Sequence, residues 1–158
     1  MSIQRVREYF KSIGIDNRIQ EFDVSSATVD LAAKALGCEP CRIAKSLSFM
    51  LKDQPIIIVT AGDVRIDNAK YKAHFGVKAK MLTYEEASTL IGHAVGGVCP
   101  FAVNQGVKVY LDVSLKQYET VYPACGSSNS AIQLSIAELE QYSNFIEWVN
   151  VCKDFVNN

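Results

Sequence analysis

A ten-residue stretch, Gly92–Phe101, concentrates residue types that can do chemistry. It holds three of the nine glycines and one of the two histidines of the chain. The adjacent Gly96 and Gly97 allow the backbone a positive φ or a close approach to a ligand, and Pro100 restricts Cys99 to an extended conformation. Successive backbone N–H groups in such a loop can converge on an anion or a developing oxyanion. A plain connection between a helix and a strand is the alternative interpretation.

Lys45 occupies an unexpected position in the predicted strand Ile43–Leu51. Side chains alternate along a strand, so Lys45 shares one face with the apolar Leu47, Phe49 and Leu51. Its ammonium group then either reaches around the rim of the core or points into a cleft. In a cleft the lysine would anchor a phosphate or a carboxylate. The sequence leaves both positions open.

Two further side chains of the glycine-rich stretch have reactive groups. His93 titrates in the range that suits a general base, or it is a loop histidine that hydrogen-bonds to the backbone. Cys99 lies beside the glycine pair and is either a nucleophile or a small residue that lines a pocket. With only two histidines in the chain, no Ser-His-Asp or Cys-His-Asn set can be assembled with assurance.

The five cysteines are an odd number, and the start of the chain lacks the apolar region of a signal peptide. Both features favour free thiols over a disulfide framework. Cys38 and Cys41 have CxxC spacing, but a zinc site needs two further ligands and the sequence offers no second CxxC or paired histidine. A thioredoxin-like motif would open a helix directly after a strand, whereas this one follows a predicted helix end at Gly37. We therefore predict a structural or incidental CxxC and no metal site.

Length and composition predict one cytoplasmic globular domain over residues 1–158. The chain is 49% hydrophobic and 21% charged, which is ordinary for a soluble domain, and no apolar run approaches the roughly 20 residues of a membrane span. A net charge of −1 excludes a general nucleic-acid coat. Residues 64–82 carry five basic residues against one acidic residue. They form either a solvated surface or a small phosphate-contacting patch.

Hydrophobic periodicity and capping signals predict an α+β fold with roughly seven strands in a mostly antiparallel or mixed sheet, and about four helices. Capping residues predict helix starts at Ser25 or Ser26, at Asp67, at Thr83 and at Ser135. The predicted strands span residues 18–24, 43–51, 56–60, 78–82, 107–111, 120–124 and 145–151, and residues 131–134 close a hairpin with the strand 120–124.

Three segments, taken in order, resemble the YbaK family of stand-alone aminoacyl-tRNA deacylases, which are related to the editing domain inserted in bacterial prolyl-tRNA synthetases. Ile43–Phe49 resembles the lysine strand of that family. Gly92–Phe101 resembles its G-x-x-x-G-G-x-x-P loop. Val109–Asp112 and Tyr122–Ser127 resemble its closing strands. The resemblance covers the chain from about residue 27 to residue 139.

The resemblance implies a fold with a central curved sheet, and hydrolysis of the ester that joins a wrong amino acid to tRNA, without a cofactor. It implies that Lys45 anchors the 3′-terminal nucleotide of the tRNA, and that the backbone of Gly96 and Gly97 lines the aminoacyl pocket. These three are the predicted catalytic residues. The predicted substrate-binding residues are Thr60, Ala61, Gly62, His93, Val98, Cys99, Pro100, Gly126 and Ser127.

The predicted function is therefore trans-editing of mischarged tRNA, with tRNA for proline carrying alanine or cysteine as the expected substrate. The expected partners are the acceptor end of that tRNA and prolyl-tRNA synthetase, with no DNA and no membrane. Ala124 and Ala131 stand where some family members have a serine and an aspartate, so functions that need those groups are in question. The alternatives are a non-catalytic module that binds tRNA or a synthetase, and a thiol enzyme that uses Cys99 or the CxxC.

Overall fold

The computed structural model describes residues 2–94 and 96–153, so Val95 of the glycine-rich stretch and both chain ends lie outside the described residues. No helix in this described part has the length and hydropathy that crossing a lipid bilayer requires. The helix α4 continues directly into a π-helical turn, Ala87–Ile91. The α-helices among the described residues are α1 Ser2–Ser12, α2 Val29–Leu36, α3 Asn68–Phe75, α4 Tyr84–Glu86 and α5 Ile136–Ser143.

The described strands form a six-stranded mixed sheet, in the order β7-β5-β2-β3-β4-β8, and a two-stranded sheet of β1 and β6. In the larger sheet β2–β3 and β5–β7 are antiparallel, whereas β2–β5, β3–β4 and β4–β8 are parallel. The α+β class with a mixed sheet is confirmed. Parallel pairs arise because the chain leaves β3 through α3 and α4 before it returns as β4. The strands are β1 Gln20–Glu21, β2 Ile43–Leu51, β3 Gln54–Ala61, β4 Lys108–Asp112, β5 Thr120–Pro123, β6 Ser130–Ala131, β7 Leu134–Ser135 and β8 Trp148–Val149.

The antiparallel pair of β2 and β3 is the centre of the larger sheet. Its register places Lys45 opposite Thr60 and Leu51 opposite Gln54. All of residues 56–60 are buried, since β3 has a neighbouring strand on each side and apolar clusters on both faces. This burial explains the unbroken run of mostly β-branched residues, which would alternate with polar residues if one face met water.

The side chains of β3 divide the core into two clusters because successive side chains point to opposite faces. Ile57 belongs to the larger cluster, together with Phe10 of α1. Ile58 belongs to a smaller cluster on the other face, together with Tyr71 of α3. All four side chains are fully buried, and each contributes about 1.5–3 kcal/mol through the apolar surface that it removes from water.

The helix α2 begins two or three residues later than predicted. Its cap is Thr28, whose hydroxyl accepts a hydrogen bond from the amide of Leu31, and not Ser25 or Ser26. The amide of Ser26 instead donates to the carbonyl of Ser128 at 2.6 Å. This contact keeps residues 25–27 extended against the turn that precedes β6, so the helix can begin only after them.

The predicted strand at residues 78–82 is wrong, although the segment does lie beside β2. It contacts β2 through a single bridge between Met81 and Phe49 and two backbone hydrogen bonds. Thr83 then opens α4 with the predicted capping box, so the chain turns away before a strand can extend. The last predicted strand is likewise reduced to the two residues of β8.

Acid should remove one stabilising interaction between α5 and the N-terminal part of the chain. Hydrogen bonds from Arg18, at 2.8 and 3.1 Å, lower the pKa of Glu138 from its ordinary 4.5 to about 2. A carboxylate with a lowered folded-state pKa stabilises the fold above its unfolded pKa and loses that contribution as the pH falls. We expect Glu138→Gln, which retains a capping side chain, to cost about 1 kcal/mol at neutral pH because the pair is partly exposed.

Urea denaturation at a series of pH values checks this expectation. The difference in unfolding free energy between the wild type and Glu138→Gln should shrink as the pH falls from about 4.5 to about 2. A difference that stays constant across this interval would show that the Arg18 contact does not stabilise the fold.

Candidate active site

The edge of β2 that faces away from β3 is paired at both ends and open in the middle. At its start, residues 43–44 pair with β5. Near its end, the carbonyl of Ser48 and the amide of Met50 hydrogen-bond to residues 80–82, at 3.1 and 2.8 Å. Within the described chain, residues 45–47 have no strand beside them on this edge. Backbone groups between two such pairings are accessible to a ligand.

A cavity of about 210 Å³ lies against this open edge. Its exposed lining residues all belong to two segments, 26–29 and 81–84, which we call the cavity mouth. Its other walls come from β2, α2, the glycine-rich stretch and the chain from β5 to β6. Those walls consist of Ala32, residues 43–48, Ala87, Gly96, Val98, Tyr122, Ala124, Ser130 and Ala131.

Lys45 is among the residues of β2 that line this cavity. Its Nζ donates a hydrogen bond to the carbonyl of Val64 at 2.8 Å. Burial lowers the pKa of Lys45, with Cys152 and Asp63 acting in the opposite direction and Arg65 in the same one. An ammonium group has three N–H donors. One backbone acceptor therefore leaves donors for an anionic ligand.

Gly96 and Gly97 have different surroundings. Gly96 lines the cavity with a φ of +86°, and the amide of Gly97 closes a turn by donating to the carbonyl of Ala94 at 3.0 Å. A Cβ on Gly97 would lie 2.5 Å from the backbone carbon of Gly126 and the amide nitrogen of Ser127. Gly97 thus allows two loops to pack backbone against backbone, and only Gly96 faces the cavity.

The glycine-rich loop offers two backbone donors beside the cavity. Among residues 2–94 and 96–153, the amides of Gly96 and Val98 donate to neither a carbonyl nor a side chain, and both residues line the cavity. Amide groups held by a turn in this way can stabilise an oxyanion without reorganisation. The candidate oxyanion donors are therefore the amides of Gly96 and Val98, the residues on either side of Gly97.

His93 and Cys99 are buried behind the loop and do not line the cavity. The Nε2 of His93 lies 2.7 Å from the carbonyl of Phe101, which requires the proton on Nε2. Burial lowers the pKa of His93 and raises the pKa of the Cys99 thiol to about 12. The histidine therefore hydrogen-bonds to the backbone, as one of the two interpretations held, and the thiol stays protonated at neutral pH.

The other predicted substrate-binding residues lie outside the cavity lining. Thr60 and Ala61 are fully buried, and the amide of Ala61 donates to the hydroxyl of Ser114 at 3.1 Å. A Cβ on Gly62 would lie 2.2 Å from the carbonyl oxygen of Pro40, so Gly62 permits a close approach of backbone to backbone. Pro100, Gly126 and Ser127 are also absent from the lining.

The CxxC does not form a reactive pair among the described residues. Cys38 and Cys41 are free thiols and are partly buried. Burial raises the pKa of Cys38, whereas a nucleophilic or metal-binding thiol needs a lowered pKa. These features agree with the structural or incidental role that was predicted.

Sequence reasoning missed both segments of the cavity mouth. Ser26 and Thr83 were noted only as capping residues, and nothing in the sequence assigned residues 26–29 or 81–84 to a site. By contrast, Ala124 and Ala131 were singled out for their places in the family pattern, and both line the cavity. The wall that they form is apolar.

Comparison with known families gives a direct match. The family described as "Aminoacyl-tRNA editing domain" matches residues 24–142, and every residue that lines the cavity lies within that range. The chain is also 51% identical, over 98% of its length and 99% of the other, to "Uncharacterized protein YwhH" of Bacillus subtilis (strain 168).

Two further relatives carry descriptions related to proline. The "Proline--tRNA ligase" of Lactiplantibacillus plantarum is 30% identical over 90 residues, which is 56% of this chain and 16% of that protein. The crystal structure of a candidate trans-editing enzyme for prolyl tRNA synthetase has a TM-score of 0.86 at 28% identity, over 97% of this chain and 98% of that one. The match over residues 24–142 is supported by both sequence and fold, and the chain belongs to the aminoacyl-tRNA editing domain family.

Proposed function

We propose that this chain is one trans-editing domain that hydrolyses mischarged aminoacyl-tRNA, with tRNA for proline carrying a small wrong amino acid as its substrate. The observation that carries the proposal is the cavity, whose lining includes Lys45, Gly96 and Val98. A cation and two amides that have no acceptor among the described residues suit a substrate with a phosphate and an ester carbonyl. The similarity to a candidate trans-editing enzyme over nearly the whole length of both chains favours prolyl-tRNA as the substrate class.

The size and lining of the cavity favour a small amino acid. Its volume of about 210 Å³ is below the roughly 300–1,000 Å³ of sites that enclose drug-sized ligands. Alanine side chains from β2, α2 and the chain after β5 contribute to the walls. An apolar pocket separates amino acids that differ by a methylene group only by about 10- to 200-fold, so alanine and cysteine would both be accepted.

The proposed reaction uses position and backbone groups more than side-chain chemistry. The amides of Gly96 and Val98 stabilise the oxyanion as a water oxygen bonds to the ester carbonyl carbon. The bond from that carbon to the ribose oxygen then breaks, and the ribose leaves with a proton on that oxygen. The neighbouring ribose hydroxyl assists the water, as the family resemblance implies, and Lys45 holds a phosphate of the 3′-terminal nucleotide. Since Cys99 and His93 are both buried and absent from the cavity lining, the proposed reaction uses neither side chain.

Replacing Lys45 tests the proposed phosphate contact. We expect Lys45→Met, which retains an apolar side chain of similar length, to lower kcat/KM for deacylation of Ala-tRNA for proline by about 10- to 150-fold, since a hydrogen bond to a charged group is lost. The change should appear mainly in KM, and the pH profile should keep its shape because no proton transfer is removed.

The matched control for this substitution is Lys108→Ala, which removes an exposed lysine at the start of β4. Its kcat/KM should equal that of the wild type. A Lys45→Met variant with unchanged KM would contradict the assignment of Lys45 as the nucleotide anchor.

The packing of Gly97 on the next loop gives a second prediction. We expect Gly97→Ala to destabilise the fold by about 1–3 kcal/mol, because the new Cβ overlaps backbone atoms that cannot move independently, and to reduce deacylation by displacing the neighbouring amides. Gly106→Ala is the control, since Gly106 has a positive φ but open space around it. The control should lose stability and retain activity. A Gly97→Ala variant with the stability and activity of the wild type would show that Gly97 does not pack closely on the backbone of Gly126 and Ser127.

A further inference from the structure

Four of the six large apolar side chains that are exposed among the described residues lie in the cavity mouth or next to it in sequence. Tyr84 is 75% exposed and Met81 is 58% exposed, and both line the cavity. Val24 and Leu31 are 60% and 42% exposed. In sequence they lie just before and just after residues 26–29, the other segment of the cavity mouth. Exposed apolar groups that are grouped at an opening, instead of scattered singly, mark a binding site.

The position of Tyr84 is fixed although its ring is exposed. It is the first residue of α4, directly after Thr83, whose hydroxyl accepts a hydrogen bond from the amide of Glu86 at 3.1 Å. The carboxylate of Glu86 accepts in return from the amide of Thr83 at 2.9 Å. A ring held on a capped helix start is a pre-ordered surface, so little conformational entropy of the backbone is lost when a ligand packs on it.

The cavity is too small to hold a nucleotide together with an amino acid. If the aminoacyl group fills the 210 Å³, the ribose must lie at the mouth and its base outside. The 3′ end of tRNA is single-stranded, and single-stranded RNA is commonly bound by stacking of its bases on exposed aromatic side chains. Tyr84 is an aromatic residue in the cavity lining that is exposed enough to accept a base, whereas Tyr122 is only partly exposed.

Two exposed lysines lie close to Tyr84 in sequence. Lys78 and Lys80 are exposed and directly precede Met81 along the chain. The amide of Met50 fixes this segment beside β2 through the carbonyl of Lys80, at 2.8 Å. Glu85 is exposed next to Tyr84, and the carboxylate of Glu86 caps the helix start, so residues 78–86 carry two basic and two acidic side chains. The two exposed lysines can contact the phosphates that precede the terminal nucleoside.

We propose that the ring of Tyr84, flanked by the side chain of Met81, is the stacking surface for the terminal base of the tRNA acceptor end. This inference rests on the proposed function for the identity of the RNA, but it concerns binding and needs no hydrolysis. Base stacking on an aromatic side chain is lost when the ring is removed and retained when only the hydroxyl is removed. Tyr84→Ala and Tyr84→Phe therefore separate stacking from hydrogen bonding by the phenol.

The test measures binding of two fluorescein-labelled RNA hairpins by anisotropy at one fixed salt concentration. One hairpin copies the acceptor stem of tRNA for proline with its terminal CCA, and the other lacks the final adenosine. The wild type and Tyr84→Phe should bind the complete RNA more tightly than the truncated one. Tyr84→Ala should bind the complete RNA about 5- to 150-fold more weakly and should no longer distinguish the two hairpins. Ile146→Ala removes a side chain that is 55% exposed away from the cavity and should behave as the wild type.

The inference is overturned if Tyr84→Ala binds both hairpins as the wild type does, or if Tyr84→Phe loses binding like Tyr84→Ala. It is also overturned if the binding of the wild type does not depend on the terminal adenosine. A loss confined to association with prolyl-tRNA synthetase would identify a protein-docking surface instead and would also overturn it. Stacking without any hydrolysis of mischarged tRNA would leave this inference standing and refute the proposed function.

Discussion

The interrupted pairing along one edge of β2 is the constraint on which the candidate site depends. The strand β5 pairs with residues 43–44 and then departs, while residues 80–82 join the same edge only at Ser48. The three residues between them include Lys45, so its place in the cavity wall follows from where its neighbours stop. A longer β5 or an extended strand at residues 78–82 would close this gap and leave no cavity.

The opposite wall depends on contacts between backbones. Gly97 packs on Gly126 and Ser127 at distances that no side chain would permit, and Gly126 packs in turn on the backbone of Ser2. The amide of Ser26 reaches the carbonyl of Ser128, which places one half of the cavity mouth against the same turn. Gly97 and Gly126 thus hold several loops together, whereas Gly96 and Val98 line the cavity.

The sequence predicted the elements better than their pairing. Period-two alternation and β-branched runs located β2 and β3, and the capping residues Asp67, Thr83 and Ser135 located three helix starts, because these signals are local. The short strand pairs and the parallel partners of β3 depend on long-range packing that no local pattern carries. Within the site, Lys45 and Gly96 were visible as anomalies of type and position, whereas Tyr84 and Met81 resemble ordinary surface residues until the cavity beside them is known.

The most direct test of the proposed editing activity is a single-turnover measurement on tRNA for proline charged with alanine, cysteine or proline. The proposed function predicts release of alanine or cysteine from these charged tRNAs. The result that would contradict the proposal is a wild-type protein that binds all three charged tRNAs and releases no amino acid from any of them. That outcome would identify a binding module of the aminoacyl-tRNA editing fold.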